Sequence, residues 1–387
     1  MDLGYEVYVL YIILKVFRNL SHTNKMKIVI NASTVAYGGG LTITFNFIQT
    51  FSQNKNHDFY VFLPSGQYRE LPNDLNYIYV PSYLTKKGGR FFLDHLWLIR
   101  KIKKIKPDKI ISLGNIPLAT SYYQIYYLQN IFLVTESYSD LNLTRKDIIL
   151  NKLRRFLFRK RVLYINHIIS QSRYMDTLLK KSLPNLHATT DIFPNTIPKI
   201  PQQPIRFSII SGTKNKKKLL VLSRYYSHKN LEILLDVASL IRKKHKNYIL
   251  ITTLENKHHP KASKLIKKIK RNFTHTIVNL GEIKRENIES LYENTDALLL
   301  PTLIESFSTV YMEAMYFLKP VLTSDRPFAR NICQDAGWYF DPYSAENILE
   351  IIEECFANDD VRKKKLETGQ IIVRDYPSWD QIVARII

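Results

Sequence analysis

The 387-residue sequence is short of cysteine, of acidic residues and of long apolar runs. Its two cysteines, Cys333 and Cys355, are too few for a disulfide framework and lack zinc-ligand spacing, which points to a reducing interior. No segment looks like the run of roughly 18 to 20 apolar residues that spans a bilayer. The opening MDLGYEVYVLYIILKVFRNLSHTNK has no basic region ahead of its apolar stretch and no small-residue cleavage site, so a secretory signal fits poorly. Residues 1–25 read instead as an upstream start or a short interfacial helix ahead of Met26. Neither a G-x-G-x-x-G spacing nor a P-loop lysine accompanies the run Gly38, Gly39, Gly40, which disfavours NAD and ATP readings.

Basic residues, by contrast, are abundant. Lys and Arg number 56 against 34 Asp and Glu, a formal charge of +22 that favours anionic partners: nucleic acid, an acidic membrane surface, or phosphorylated small molecules. A composition 45% hydrophobic and 23% charged excludes a disordered chain. The length predicts two domains of about 150 to 200 residues.

Short apolar runs alternate with helical stretches through the first half: 27–33, 58–63, 77–80, 108–113, 124–128 and 167–170. The pattern restarts at 217–223, 247–252, 275–280, 296–301 and 320–324. Alternation of doubly buried strands with helices is the signature of parallel sheets covered on both faces. The expectation is an α/β chain of two Rossmann-like, doubly wound domains facing a central cleft. The first covers 26–193. A proline-rich linker covers 194–212, the second domain 213–370, and a helix over 371–387 crosses back to the first. In such sheets ligands bind at the carboxyl ends of the strands.

Two stretches carry candidate chemistry. RYYSHKN, 224–230, follows an apolar run and precedes amphipathic periodicity, so a helix is expected to begin near Ser227 to Asn230. Lys229 at the positive end of a helix is unfavourable unless an anion lies opposite, and Arg224 and Lys229 then flank a phosphate; both also read as solvated surface cations. In DALLLPTLIESFSTVYMEAMYFLKPVLTS, 296–324, Glu305 falls in the loop after a strand and Glu313 one turn into the next helix. The N–H groups near Ser306 to Thr309 make an anion site between two carboxylates able to accept from sugar and ribose hydroxyls. Dipole compensation is the plainer role of Glu313. The glycine run Gly38 to Gly40 lets backbone approach a phosphate closely.

Taken together, ESFSTVYME, RYYSHKN and the intervening GEIKRENIESLYENTDALLLPT resemble the retaining nucleotide-sugar glycosyltransferases of family 4. The similarity covers most of 26–385 and is specific mainly in the second domain. It implies the GT-B fold, a nucleoside-diphosphate sugar bound mostly by the C-terminal domain and an acceptor bound by the N-terminal one. Arg224 and Lys229 would then hold the diphosphate and stabilise charge on the departing nucleotide. Glu305 would contact the transferred sugar, the N–H groups of Phe307, Ser308 and Thr309 the phosphates, and Glu313 the ribose. Gly281, Glu282 and Ile283 would lie beside the base, and Gly39 and Gly40 would face the phosphates across the cleft. Asn195 matches an asparagine at the domain junction and reads equally as a turn former. Gln129 and Asn130 stand where many members carry a histidine, and Gln129 cannot act as a base. Asp-x-Asp, the metal-holding pair of the other large glycosyltransferase fold, is absent, which implies a metal-independent hexosyl transfer with no cofactor beyond the donor substrate.

The basic amphipathic segment 152–161 fits an anionic membrane surface, where polyprenyl-linked acceptors lie, or else a solvated helix face. A cytoplasmic protein, peripheral on the inner face of the cytoplasmic membrane and acting in surface polysaccharide biosynthesis, is expected. Two readings stay open beside transfer: a nucleotide-sugar 2-epimerase of the same fold, and a non-catalytic polyanion or nucleic-acid binder, although no nucleic-acid motif is present.

Overall fold

The computed structural model describes residues 25–196 and 215–387, apart from 37, 67, 69, 70, 86–88, 115, 137 and 142. The N-terminal extension to residue 24, and nearly all of the expected linker, lie outside the described residues.

Seven strands form the first sheet: β1 (Lys27–Asn31), β2 (Asp58–Pro64), β3 (Asn76–Val80), β4 (Lys109–Ser112), β5 (Tyr123–Leu128), β6 (His167–Ser170) and β7 (Thr189–Ile192), in the order β3-β2-β1-β4-β5-β6-β7. Six form the second: β8 (Lys217–Val221), β9 (Tyr248–Thr252), β10 (Ile277–Asn279), β11 (Ala297–Leu300), β12 (Val321–Ser324) and β13 (Gly337–Phe340), in the order β10-β9-β8-β11-β12-β13. Every pairing is parallel. The helices used below are α1 (Gly38–Gln53), α2 (Leu98–Ile105), α3 (Arg145–Arg161), α4 (Arg173–Ser182), α5 (Ile233–Lys243), α6 (Pro260–Asn272), α7 (Ile288–Glu293), α8 (Thr309–Tyr316), α9 (Pro327–Cys333), α10 (Ala345–Ala357), α11 (Asp359–Asp375) and α12 (Trp379–Ile386).

The apolar runs became strands, and the inner ones are buried on both faces, so their side chains need no polar alternation; β3, at the sheet edge, leaves Tyr79 exposed. In the first sheet one face, with Ile30, Val61, Ile111 and Tyr127, packs on α1 and α12. The other is covered by α2 over Val29, Phe62 and Ile110, and by α3 and α4 over Tyr126, Leu128 and Ile168. The second sheet is sandwiched likewise, with α5, α6 and α10 on one face and α7, α8 and α9 on the other.

Two strands escaped the sequence pattern, β7 (TTDI) and β13 (GWYF). Both are short sheet edges. α11 runs through the expected boundary at 370–371, so the element that packs on the first sheet is α12 alone. Ile382 and Ile386 are fully enclosed, Trp379 meets the Phe47 ring edge-on at 5.1 Å, and Lys109 Nζ donates to the Ile386 carbonyl at 3.0 Å. α12 therefore completes the core of the first unit, and Ile382→Ala should cost about 2 to 4 kcal/mol through lost burial and the cavity it leaves, measured by urea unfolding.

Candidate functional site

β8 and β11 are neighbours in the second sheet, so the loops leaving their carboxyl ends run side by side. The first, Arg224 to Asn230, does not start the α-helix as expected. Ser227–Lys229 form a 3-10 turn, Asn230 enters the left-handed region at φ 53°, and α5 begins only at Ile233. The Asn230 amide donates to the Pro342 carbonyl at 2.7 Å, fixing that kink. Lys229 thus sits outside the helix, and the anion beside it is a carboxylate. Leu303 N–H donates to the His228 carbonyl at 2.8 Å, binding the second loop to the first. This brings Glu305 into a hydrogen-bonded ion pair with Lys229, each side chain only 14% exposed.

Burial pushes the Lys229 ammonium down to about 8, and contact with Glu305 favours its charged form at neutral pH. His228 stacks on Tyr226 and meets Phe132 of the first unit edge-on, both at 5.5 Å. Burial, with Lys229 beside it, lowers its imidazole to about 3, so it is neutral at pH 7. Arg224 is half-buried, and its charge acts on the Tyr226 hydroxyl and on Lys257.

A cavity of about 460 Å³ opens between the two units, with Glu305, Ser306 and His228 on one wall and Gly40, Gln129 and Asn130 on the other. Gln129 Nε2 donates to the Leu113 carbonyl at 3.1 Å, and the Asn130 side chain caps the turn 131–133 by accepting from Phe132 N–H. A Cβ at Gly40 would approach Gln129 Oε1 to 3.2 Å, and Gly38, at φ 64°, brings the loop to the Tyr226 hydroxyl across the cleft. Gly39 faces open space.

Ser308 occupies the N-cap of α8 without capping it through its side chain, and Thr309 opens the helix, so the first N–H groups keep their capacity for an anion. Phe307 is anchored in the core against Tyr376, while the Ser306 carbonyl accepts from Ser172 of the first unit at 3.1 Å. Glu313, 9% exposed, accepts from the Tyr292 hydroxyl at 3.3 Å. Burial raises its carboxyl to about 7, against the Tyr292 hydrogen bond and the Arg285 charge, which pull it down.

Four more predicted positions, Asn195, Glu282, Gly281 and Ile283, are held as follows. Asn195 does not line the cavity: it is enclosed, accepting from the Tyr127 hydroxyl of the first unit at 2.8 Å. Glu282 turns outward to Lys257 at 2.5 Å, and its N–H donates to Glu255 Oε1 at 3.0 Å. Gly281, at φ 79°, leaves room for that same carboxylate. Ile283 packs against the second core. Sequence reading missed Glu255 and also Arg285, whose guanidinium crosses to Asn46 Oδ1 at 3.2 Å and lies over the Phe45 ring. Glu255 lies outside the quoted stretches; Arg285 lies within GEIKRENIESLYENTDALLLPT, but its reach to the first unit depends on tertiary structure that the stretch does not encode.

The two facing sheets and the cleft between them define the GT-B architecture, and the solved structures agree. The chain is similar to a glycosyltransferase from Rickettsia africae (16% identity, 94% of this chain and 97% of that one, TM-score 0.69). It is equally similar to WaaG, a glycosyltransferase involved in lipopolysaccharide biosynthesis (16%, 94% and 99%, 0.67), and to Anabaena HepE in complex with UDP and glucose (16%, 93% and 99%, 0.68). Comparison with curated protein sequences returned no match. Residues 205–370, most of the second unit, match the family model of the glycosyl transferases group 1.

Glu313 sets a pH dependence that needs no ligand. A carboxyl whose folded value is raised stabilises the fold below its unfolded value, near 4.5, and loses that contribution as pH rises through about 7. Glu313→Gln should therefore match wild type near pH 4.5 and exceed it by up to about 3 kcal/mol at pH 8, read by urea unfolding across that range.

Proposed function

We propose that this chain is a retaining, metal-independent glycosyltransferase of the family 4 type. It moves a hexose from a nucleoside-diphosphate sugar to a hydroxyl of a glycan or polyprenyl-linked glycan in surface polysaccharide biosynthesis. The observation that carries the reading is the buried Lys229–Glu305 pair beside the uncapped start of α8, on the wall of a cavity between two Rossmann-like units.

In this reading Lys229, Arg224 and the first N–H groups of α8 bind the donor diphosphate, and Glu305 receives hydroxyls of the sugar while holding Lys229 in place. As the bond from anomeric carbon to phosphate oxygen breaks, negative charge grows where these groups already point. The acceptor oxygen bonds the anomeric carbon on the face the nucleotide leaves, and its proton passes to the departing phosphate oxygen. The side chain at the position where many members carry a histidine supports that route: Gln129 is an amide tied to a carbonyl and cannot act as base.

Membrane docking is supported by the outer face of α3, where Ile149, Leu153 and Phe156 are more than half exposed beside Lys152 and Lys160. The basic segment 152–161 is less free than its composition implies. Arg155 donates to the Thr135 carbonyl, Arg159 pairs with Glu136, and Arg161 is buried against the Pro117 carbonyl. Among the described residues no helix is long and apolar enough to cross a membrane.

The test is a thermal-shift screen of UDP, GDP, ADP, CMP and their sugar conjugates. At 100 times its dissociation constant the right ligand adds about 2.7 kcal/mol, and Arg224→Ala/Lys229→Ala should abolish the shift. Affinity should peak between about pH 7, above which Glu313 is a carboxylate, and about pH 8, above which Lys229 loses its proton. Glu313→Gln should remove the acid limb and Lys229→Arg the alkaline one. Donor turnover without acceptor identifies an epimerase instead, and steeply salt-dependent binding indifferent to Glu305→Ala identifies a polyanion binder.

A further inference from the structure

α3 has two working faces. Asp147, Asn151 and Arg154 recur at helical spacing and line the cavity that also holds Glu305, whereas Ile149, Leu153 and Phe156 look outward. The cavity-facing residues are organised rather than loose. Asp147 accepts from the Thr144 backbone and hydroxyl, which commits its carboxylate to capping the helix. Asn151 is 5% exposed and its Oδ1 accepts from Arg154 Nη1 at 3.1 Å, so a buried amide aims the guanidinium. One turn further Phe158 seals the helix into the core.

Across the cavity the second unit presents Glu305, paired with Lys229, together with Tyr226, His228 and His259. Arg154 brings fixed positive charge to the first-unit wall, on the helix whose outer face is apolar and basic. Arg154 and Glu305 line the same cavity, so an acceptor whose reacting hydroxyl lies near Glu305 shares that cavity with this guanidinium.

We propose that Arg154, oriented by Asn151, forms an oxyanion subsite for a phosphate or carboxylate group carried by the acceptor. This rests on the glycosyltransferase reading and deepens it, since it makes the acceptor an anionic glycoconjugate. Arg154 is a binding residue in this role and Asn151 a positioning residue. A planar guanidinium suits the task because it can engage two oxygens of one oxyanion at once.

The test measures binding of three amphiphiles below their micellar concentration, without vesicles: octyl β-glucoside, octyl β-glucuronide and an octyl glucosyl phosphodiester. Wild type should bind at least one anionic probe about 10- to 100-fold more tightly than the neutral one, and the two anionic arms separate a carboxylate from a phosphate source. Arg154→Gln should reduce that preference to within about 3-fold, Asn151→Ala should weaken it partly, and Arg154→Lys should keep part of it. Nucleoside-diphosphate affinity should change by less than about 3-fold in all three, a readout that loss of fold would not spare. Equal binding of neutral and anionic probes, or a preference that survives Arg154→Gln, overturns the subsite. So does a preference lost in Lys152→Gln/Lys160→Gln, which would place it on the outer face. The two readings fail separately: absence of any nucleoside-diphosphate binding sinks the glycosyltransferase reading, whatever the probes do.

Discussion

The ion pair between Lys229 and Glu305 is the contact around which the cleft is organised. Two charges taken this far from water cost several kcal/mol each in solvation, and only close mutual contact and a fixed scaffold make the pair tolerable. That scaffold is the adjacency of β8 and β11, whose loops are joined again through the Leu303 N–H and the His228 carbonyl. The left-handed Asn230 turns the chain away before α5 begins, which leaves the lysine in the loop against Glu305, a residue of the cavity wall, rather than inside a helix. An anionic ligand entering there meets a cation already desolvated, so binding does not have to strip water from it again.

Around this pair the two units touch through few, specific polar groups. Ser172 reaches the Ser306 carbonyl, Arg285 reaches Asn46, Arg326 pairs with Asp140 at 3.1 Å, and the Tyr343 hydroxyl donates to the Asp140 carbonyl. The apolar part is small: Leu303 and Ile304 enter a core otherwise built from the first unit, and Tyr174 bridges the two. α12 adds the opposite kind of link, since its burial beneath the first sheet ties the chain end to the first unit.

α3 shows how one element can serve separate environments. A helix surface divides by 100° per residue, so residues that cap, line a cavity, seal a core and meet solvent can alternate within seventeen positions. Three of its eight cations, Arg155, Arg159 and Arg161, are engaged by carbonyls and a carboxylate of the first unit. The membrane and acceptor roles proposed for it therefore fall to different residues, and substitutions can separate them.

Sequence by itself determined the two parallel sheets, because strands buried on both faces must be continuous apolar runs and such runs are visible without coordinates. It also marked Glu305, Lys229 and the start of α8, since loops after strands and helix N-termini have recognisable residues. It did not show β7 and β13, whose edge positions need little hydrophobicity, nor the enclosure of Asn195. Only the tertiary structure decided what lies opposite what. Lys229 and Glu305 are 76 positions apart and Arg285 and Asn46 are 239 apart, and their meeting depends on strand order and on how the two units close, which no local pattern encodes. Helical spacing likewise groups Asn151 with Arg154, but that their face lines the cleft is a consequence of the sheet α3 packs on.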